Sequence, residues 1–224
     1  AFLDYYHDVG LGWIGKFKNT INMKLELKDK RVLVLGLGDT GLSALRWLHR
    51  QGARLSVADT REVPPGVEAL KAELPAVNLY TGSFTEAVFN DAEVIVISPG
   101  VPKVEPLVQA AIQRGVPVVG DVELFAQFKP ASAKVIAITG ANGKSTVTTL
   151  AGEMCKEAGL KTVVAGNIGL PVLDTLNGDV PDIYVLELSS FQLETTSSLN
   201  ADAATVLNIS EDHMDRYEGL EDYA

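Results

Sequence analysis

Val135-Ile136-Ala137-Ile138-Thr139-Gly140-Ala141-Asn142-Gly143-Lys144-Ser145-Thr146 decides how the rest of the chain is read. An apolar run fit for a buried strand breaks into a glycine turn. A helical spacing follows through Val147, Leu150, Met154 and Ala158. Strand, glycine turn and helix in that order predict a phosphate cradle, because backbone N–H groups at the positive end of a helix converge on an anion. Gly140 to Thr146 (Gly140, Ala141, Asn142, Gly143, Lys144, Ser145 and Thr146) are the candidate ATP-binding residues. Lys144 brings a full positive charge to the phosphates, and the Ser145 hydroxyl stands where P-loops place a Mg²⁺ ligand. The loop departs from the usual eight-residue pattern, which requires glycine where this chain has Ile138.

Downstream, three more short apolar runs end in polar residues. Residues 162–165 lead into Gly166-Asn167-Ile168-Gly169, residues 183–186 into Glu187 with Ser189, Ser190 and Gln192, and residues 203–208 into Glu211, Asp212 and His213. A carboxylate at a strand end beside a phosphate loop commonly holds Mg²⁺ directly or through water, which is the role expected of Glu187. His213 is expected to complete a second metal site or to orient the γ-phosphate; a solvated acidic loop over 211–215 is the alternative. Lys144, Glu187 and His213 are thus the catalytic candidates, and Ser145, Glu187 and His213 the metal-binding ones.

Upstream, the same alternation starts at Met23. Arg31 to Leu35 reads as a buried parallel strand, followed by Gly36-Leu37-Gly38-Asp39-Thr40-Gly41 and a helix ending near Gly52. This is the G-x-G-x-x-G fingerprint in its proper setting. A second strand over 55–58 ends in Asp59, eighteen residues after Gly41, where dinucleotide-binding folds keep a ribose-binding acid. Taken alone this predicts NAD, but Arg61 beside the acid suits a further anionic group. Helices are expected over 67–74 and 106–114, and strands over 77–80, 93–97 and 117–119. Ser98-Pro99-Gly100 should share the carboxyl edge with the glycine loop. The fold class is therefore α/β, a Rossmann-like doubly wound parallel sheet (23–128) followed by an incomplete P-loop ATPase-type α/β domain (129–224). Lys129-Pro130-Ala131-Ser132 forms the boundary, and residues 1–22 are an aromatic-rich extension or leader of no assigned role.

Composition narrows the function. The 224 residues are 46% hydrophobic and 21% charged, as in globular proteins, and no apolar run reaches the ~18 residues of a membrane helix. A formal charge of -10 argues against a nucleic-acid surface. The single Cys155 cannot form an intrachain disulfide and reads as packing.

Four strings go further. Thr-Gly-Ala-Asn-Gly-Lys-Ser-Thr (139–146), Gly-Asn-Ile-Gly (166–169), Glu-Leu-Ser-Ser-Phe-Gln-Leu-Glu (187–194) and Glu-Asp-His-Met-Asp-Arg-Tyr (211–217) resemble the Mur ligases. The likeness runs from about Met23 to the end and includes the shortened glycine loop. It implies peptidoglycan precursor synthesis in the bacterial cytoplasm by a protein that is monomeric at full length. ATP would phosphorylate the carboxylate of UDP-N-acetylmuramoyl-L-alanine, and the amine of D-glutamate would displace the phosphate. By the same resemblance Ser145 and Glu187 hold one Mg²⁺. Glu187 and His213 would help hold a second, with a modified lysine further along. Asp39, Thr40, Asp59, Thr60, Arg61, Ser98 and Gly100 would bind the uridine diphosphate, and Asn167, Ser189, Gln192 and His213 would lie nearer the sugar and peptide. The family's third domain would lie beyond Ala224, so a fragment without activity of its own is expected. Two other readings remain from the residues alone: an NAD-dependent oxidoreductase built on Gly36 to Gly41 with Asp59, and a nucleotide-controlled binding module switched by the loop at 140–145.

Overall fold

The computed structural model describes residues 24–210. Two parallel sheets follow one another along the chain, each flanked by helices. In the first, β1 (Arg31–Leu35), β2 (Arg54–Asp59), β3 (Asn78–Thr81), β4 (Val94–Ile97) and β5 (Val118–Val119) take the order β3-β2-β1-β4-β5. Helices α1 (Asp39–Arg50), α2 (Val67–Glu73), α3 (Glu86–Asn90) and α4 (Pro106–Gln113) make the crossovers, and α5 (Asp121–Phe128) follows β5. The order reverses between β1 and β4, so the loop after β1 and the loop after β4 open side by side. That is the ligand-binding position of doubly wound sheets.

The second sheet has the order β7-β8-β6-β9, from β6 (Lys134–Thr139), β7 (Thr162–Gly166), β8 (Ile183–Glu187) and β9 (Ala203–Val206). Helix α6 (Lys144–Glu157) connects β6 to β7, a 3₁₀ turn over Asp174–Asn177 precedes β8, and α7 (Ser190–Glu194) follows it. Strand β8 pairs with β6 along its whole length, Ile138 opposite Glu187. This register sets Glu187 beside the glycine loop.

The central strands are apolar on both faces because helices cover both. Val32, Leu33, Val34 and Leu35 are each at most 1% exposed, worth roughly 1.5–3 kcal/mol per side chain. Helix α5 joins the two sheets. Its Phe128 meets Trp47 of α1 edge to face at 4.8 Å, and its Phe125 meets Tyr184 of β8 at 4.9 Å and 86°. One cluster of buried side chains accordingly runs from Val34 and Leu45 through Val122 and Phe125 to Val135, Tyr184 and Leu186.

Candidate active site

The glycine loop after β6 takes the backbone its sequence demands. Gly140 has φ 139 and Gly143 φ 84, both in the region that favours glycine. A Cβ on Gly140 would press on the backbone of Asn208 at 3.1 Å. That close approach comes from the end of β9, which pins the loop. Ala141 N–H donates to the Asn208 carbonyl (3.1 Å), Asn142 N–H donates to Asn208 Oδ1 (2.9 Å), and Asn208 Nδ2 donates back to the Asn142 carbonyl (2.8 Å). With those amides engaged, the anion-facing donors fall to the first turn of α6, whose N–H groups have no carbonyl one turn earlier. Lys144 Nζ lies over the same turn and donates to the carbonyls of Gly140 (2.6 Å) and Ala141 (3.0 Å), so among the described residues two of its three protons are engaged and one remains.

Glu187 ends β8 at 1% exposure. Its Oε1 accepts from Asn167 Nδ2 at 2.8 Å, while Oε2 is buried with no hydrogen-bond partner among the described residues. Backbone bonds fix the same corner: Asn167 N–H to the Glu187 carbonyl (2.9 Å) and Leu188 N–H to the Ile138 carbonyl (2.9 Å). Gly166 is needed here, since a Cβ would run into the Glu187 carbonyl. A buried carboxylate oxygen with no donor is costly unless something positive meets it. Glu187 and Ser145 carry hard oxygen donors of the kind Mg²⁺ takes. Among the described residues no three His, Cys, Asp or Glu side chains gather into a metal cluster.

Beyond Glu187, Ser189 caps α7. Its Oγ accepts from Gln192 N–H (3.3 Å), and Gln192 Oε1 accepts from Ser189 N–H (3.1 Å) and Oγ–H (3.3 Å). Gln192 is 3% exposed, and its Nε2 donates to Asp121 Oδ2 of α5 at 3.4 Å. The side chain expected near the sugar and peptide is thus engaged at both ends within the protein. His213 lies outside the described residues.

On the first sheet, Ser98 approaches the glycine loop, its Oγ donating to the Gly36 carbonyl at 3.3 Å and its N–H to the Leu35 carbonyl at 2.9 Å. Asp59, 2% exposed, receives four hydrogen bonds: Arg61 N–H (2.9 Å) and Nε (2.8 Å) on Oδ1, and Leu37 N–H (2.7 Å) and Arg61 Nη2 (2.6 Å) on Oδ2. A carboxylate has about four lone-pair directions, so no acceptor is left for a ribose hydroxyl. Burial alone would raise this carboxyl, but the Arg61 and Leu37 bonds outweigh it and hold the pKa down at about 2. Asp59 therefore orders the loop and aims Arg61, whose side chain stays 52% exposed. Asp39 opens α1 on the surface beside half-buried Thr40, and Thr60 and Gly100 are exposed. Lys103, in the loop after Ser98, donates to the Glu194 carbonyl at the end of α7 (3.2 Å).

The N-terminal domain of MurD-like Mur ligases matches residues 30–120, and the Mur ligase middle domain matches 138–224. The chain belongs to the Mur ligase family. UDP-N-acetylmuramoylalanine--D-glutamate ligase of Methylobacillus flagellatus is 74% identical over 200 residues, covering 89% of this chain and 44% of that protein. The enzyme of the same name from Nitrosomonas eutropha is 55% identical over 205 residues, with 88% and 44% covered. The chain thus spans a little under half the length of these curated relatives. Among solved structures, UDP-N-acetylmuramate:L-alanyl-gamma-D-glutamyl-meso-diaminopimelate ligase from Neisseria meningitides aligns with a TM-score of 0.53 at 20% identity, over 87% of this chain and 65% of that one. This shares the fold alone.

Sequence reading missed two groups in this Mur ligase chain. Asn208, which pins the phosphate loop, and Asp121, which meets Gln192, act across 66 and 71 residues of sequence. Only the polar ending of β9 hinted at the first, and nothing local marked the second.

Proposed function

We propose that this chain carries the uridine-nucleotide-binding and ATP-binding parts of a bacterial cytoplasmic ligase that joins D-glutamate to UDP-N-acetylmuramoyl-L-alanine with ATP and Mg²⁺. The observation that supports this best is the pairing of a glycine loop with Glu187, whose buried Oε2 has no partner among the described residues, on adjacent strands. The two close relatives carry this activity in their names, and D-glutamate as the amine substrate rests on them. Residues 23–128 would hold the uridine diphosphate at the reversal between β1 and β4, with Arg61 facing an anionic group. Residues 129–224 would hold ATP. No helix among the described residues is long and apolar enough to cross a membrane.

A free carboxylate is a poor electrophile, and phosphorylation both removes its charge and supplies a leaving group. The first turn of α6 and the remaining Lys144 proton would receive the phosphoryl oxygens, neutralising charge that grows during transfer. When bound, Mg²⁺ would supply further charge neutralisation, held by Glu187 and Ser145. Asn167 would hold the Glu187 carboxylate in one orientation. The test is phosphate release by the complete ligase containing this chain, with each substrate omitted in turn, and calorimetry of the uridine substrate against NAD. Turnover needing ATP, UDP-N-acetylmuramoyl-L-alanine and D-glutamate together is expected. Affinity for NAD with none for the uridine ligand would overturn the reading.

A further inference from the structure

The glycine loop is joined to the end of β9 by more than backbone. Past the last paired residues of β6 and β9, Leu207 N–H donates to the Thr139 carbonyl (2.9 Å) and Ala141 N–H to the Asn208 carbonyl (3.1 Å). The next rung is made by a side chain. Asn208 Oδ1 accepts from Asn142 N–H (2.9 Å) and Asn208 Nδ2 donates to the Asn142 carbonyl (2.8 Å), so the carboxamide meets Asn142 as the peptide groups of a further strand residue would. One partner is a donor and the other an acceptor, which settles the sense of the amide and demands a side chain with both functions. Asn142 Nδ2 adds a bond to Ser210 Oγ at 3.3 Å. Both bonds of the Asn208 carboxamide are exposed, where water serves the same peptide groups, so their consequence is direction more than stability. With the peptide groups on both sides of Asn142 held, the chain passes through Gly143 at φ 84 and opens α6 at Lys144 along one line. Resting on the ATP-binding reading above, we propose that Asn208 is a positioning residue for the nucleotide. It keeps the Asn142 amide turned to β9 before and after binding, and so presents the first turn of α6 and Lys144 to the phosphates already in place. Released, Asn142 rotates and carries Gly143 and Lys144 off that line, and the nucleotide has to order the loop as it binds.

The experiment uses the complete ligase containing this chain, at pH 8. Calorimetry with a non-hydrolysable ATP analogue and Mg²⁺ is run on wild type, Asn208→Ala and Asn208→Asp, alongside steady-state kinetics. Asn208→Ala is expected to raise KM for ATP at least fivefold, while KM for the uridine substrate stays within twofold and the thermal midpoint is unchanged. Asn208→Asp has the same shape, but it cannot donate to the Asn142 carbonyl and sets a charge against it, so it should bind the analogue more weakly than Asn208→Ala does. Hydrogen exchange followed by NMR should find the Asn142 amide protected in wild type without the analogue and unprotected in Asn208→Ala. A rise in KM for ATP below fivefold, an equal rise in both KM values, or an Asn208→Asp variant that binds the analogue as wild type does would overturn the inference. So would a through-hydrogen-bond coupling between the Asn142 amide and phosphorus in the wild-type complex, because the amide would then have left Asn208 for the nucleotide. A wild-type enzyme with no affinity for the analogue would overturn the ATP-binding reading and this inference with it.

Discussion

Two buried aspartates are driven in opposite directions. Asp59 is held at about 2, below its ordinary 3.8, whereas burial, only partly offset by hydrogen bonds, pushes Asp121 up to about 6. A depressed carboxyl stabilises the fold above its unfolded value, so the Asp59 contribution, roughly 2 kcal/mol, is lost as pH falls from about 4 to 2. A raised carboxyl acts the other way. Between about pH 4 and 6 the unfolded chain releases a proton that the folded chain keeps, and stability declines by up to about 3 kcal/mol before levelling off. Urea unfolding across pH 2.5–8 should find that Asp121→Asn removes the decline between pH 4 and 6 and leaves the acid limb untouched; an unchanged slope in that variant would count against the burial account. In the phosphate loop, Lys144→Ala should lower turnover of the complete ligase by several powers of ten with the fold intact, since one lost donor to a developing charge costs roughly 3–4 kcal/mol. A variant within tenfold of wild type would make the lysine structural. The residue types of this loop, and Glu187, could be read from sequence because their chemistry is local. Asp59 could be found but its duty could not, because the four donors that fill it come from how the chain folds around it.

At the scale of elements, strand β1 and helix α1 depend on a contact with no side chain in it. A Cβ on Gly41 would lie 1.9 Å from the Gly36 carbonyl oxygen, so helix and loop pack at a distance only glycine permits. Gly41→Ala should cost about 1–3 kcal/mol by overpacking and weaken uridine-nucleotide binding in calorimetry more than it affects ATP. Equal loss of both ligands would point to general unfolding instead. The parallel strands were legible as apolar runs punctuated by glycine, and their observed ends differ from the expected ones by a residue or two. Helices α3, α5 and α7 were not expected. Helix α5 follows a two-residue strand with only Gly120 between them, so its apolar spacing at Val122, Phe125 and Phe128 merges with the run before it. Its role also depends on Tyr184, far along the chain.

For the whole molecule, the shared core predicts shared stability. Phe125→Ala removes a ring packed against Tyr184 and should cost about 3–5 kcal/mol, lowering a single calorimetric transition. Two resolved transitions, only one of them shifted, would mean that the sheets unfold independently. Helix α5 also limits how such proteins can be recombined. It greets the first sheet with Phe128, the second with Phe125, and the turn beyond Glu187 with Asp121 and Glu123. A chimera that imports a foreign first sheet together with its own version of this helix inherits a strange seam to the second sheet. One that keeps the native helix must refit Trp47. Exchange between relatives is therefore expected to succeed only when Trp47, the helix, Tyr184 and Gln192 travel as a set, which makes this one helix the unit of inheritance at the junction.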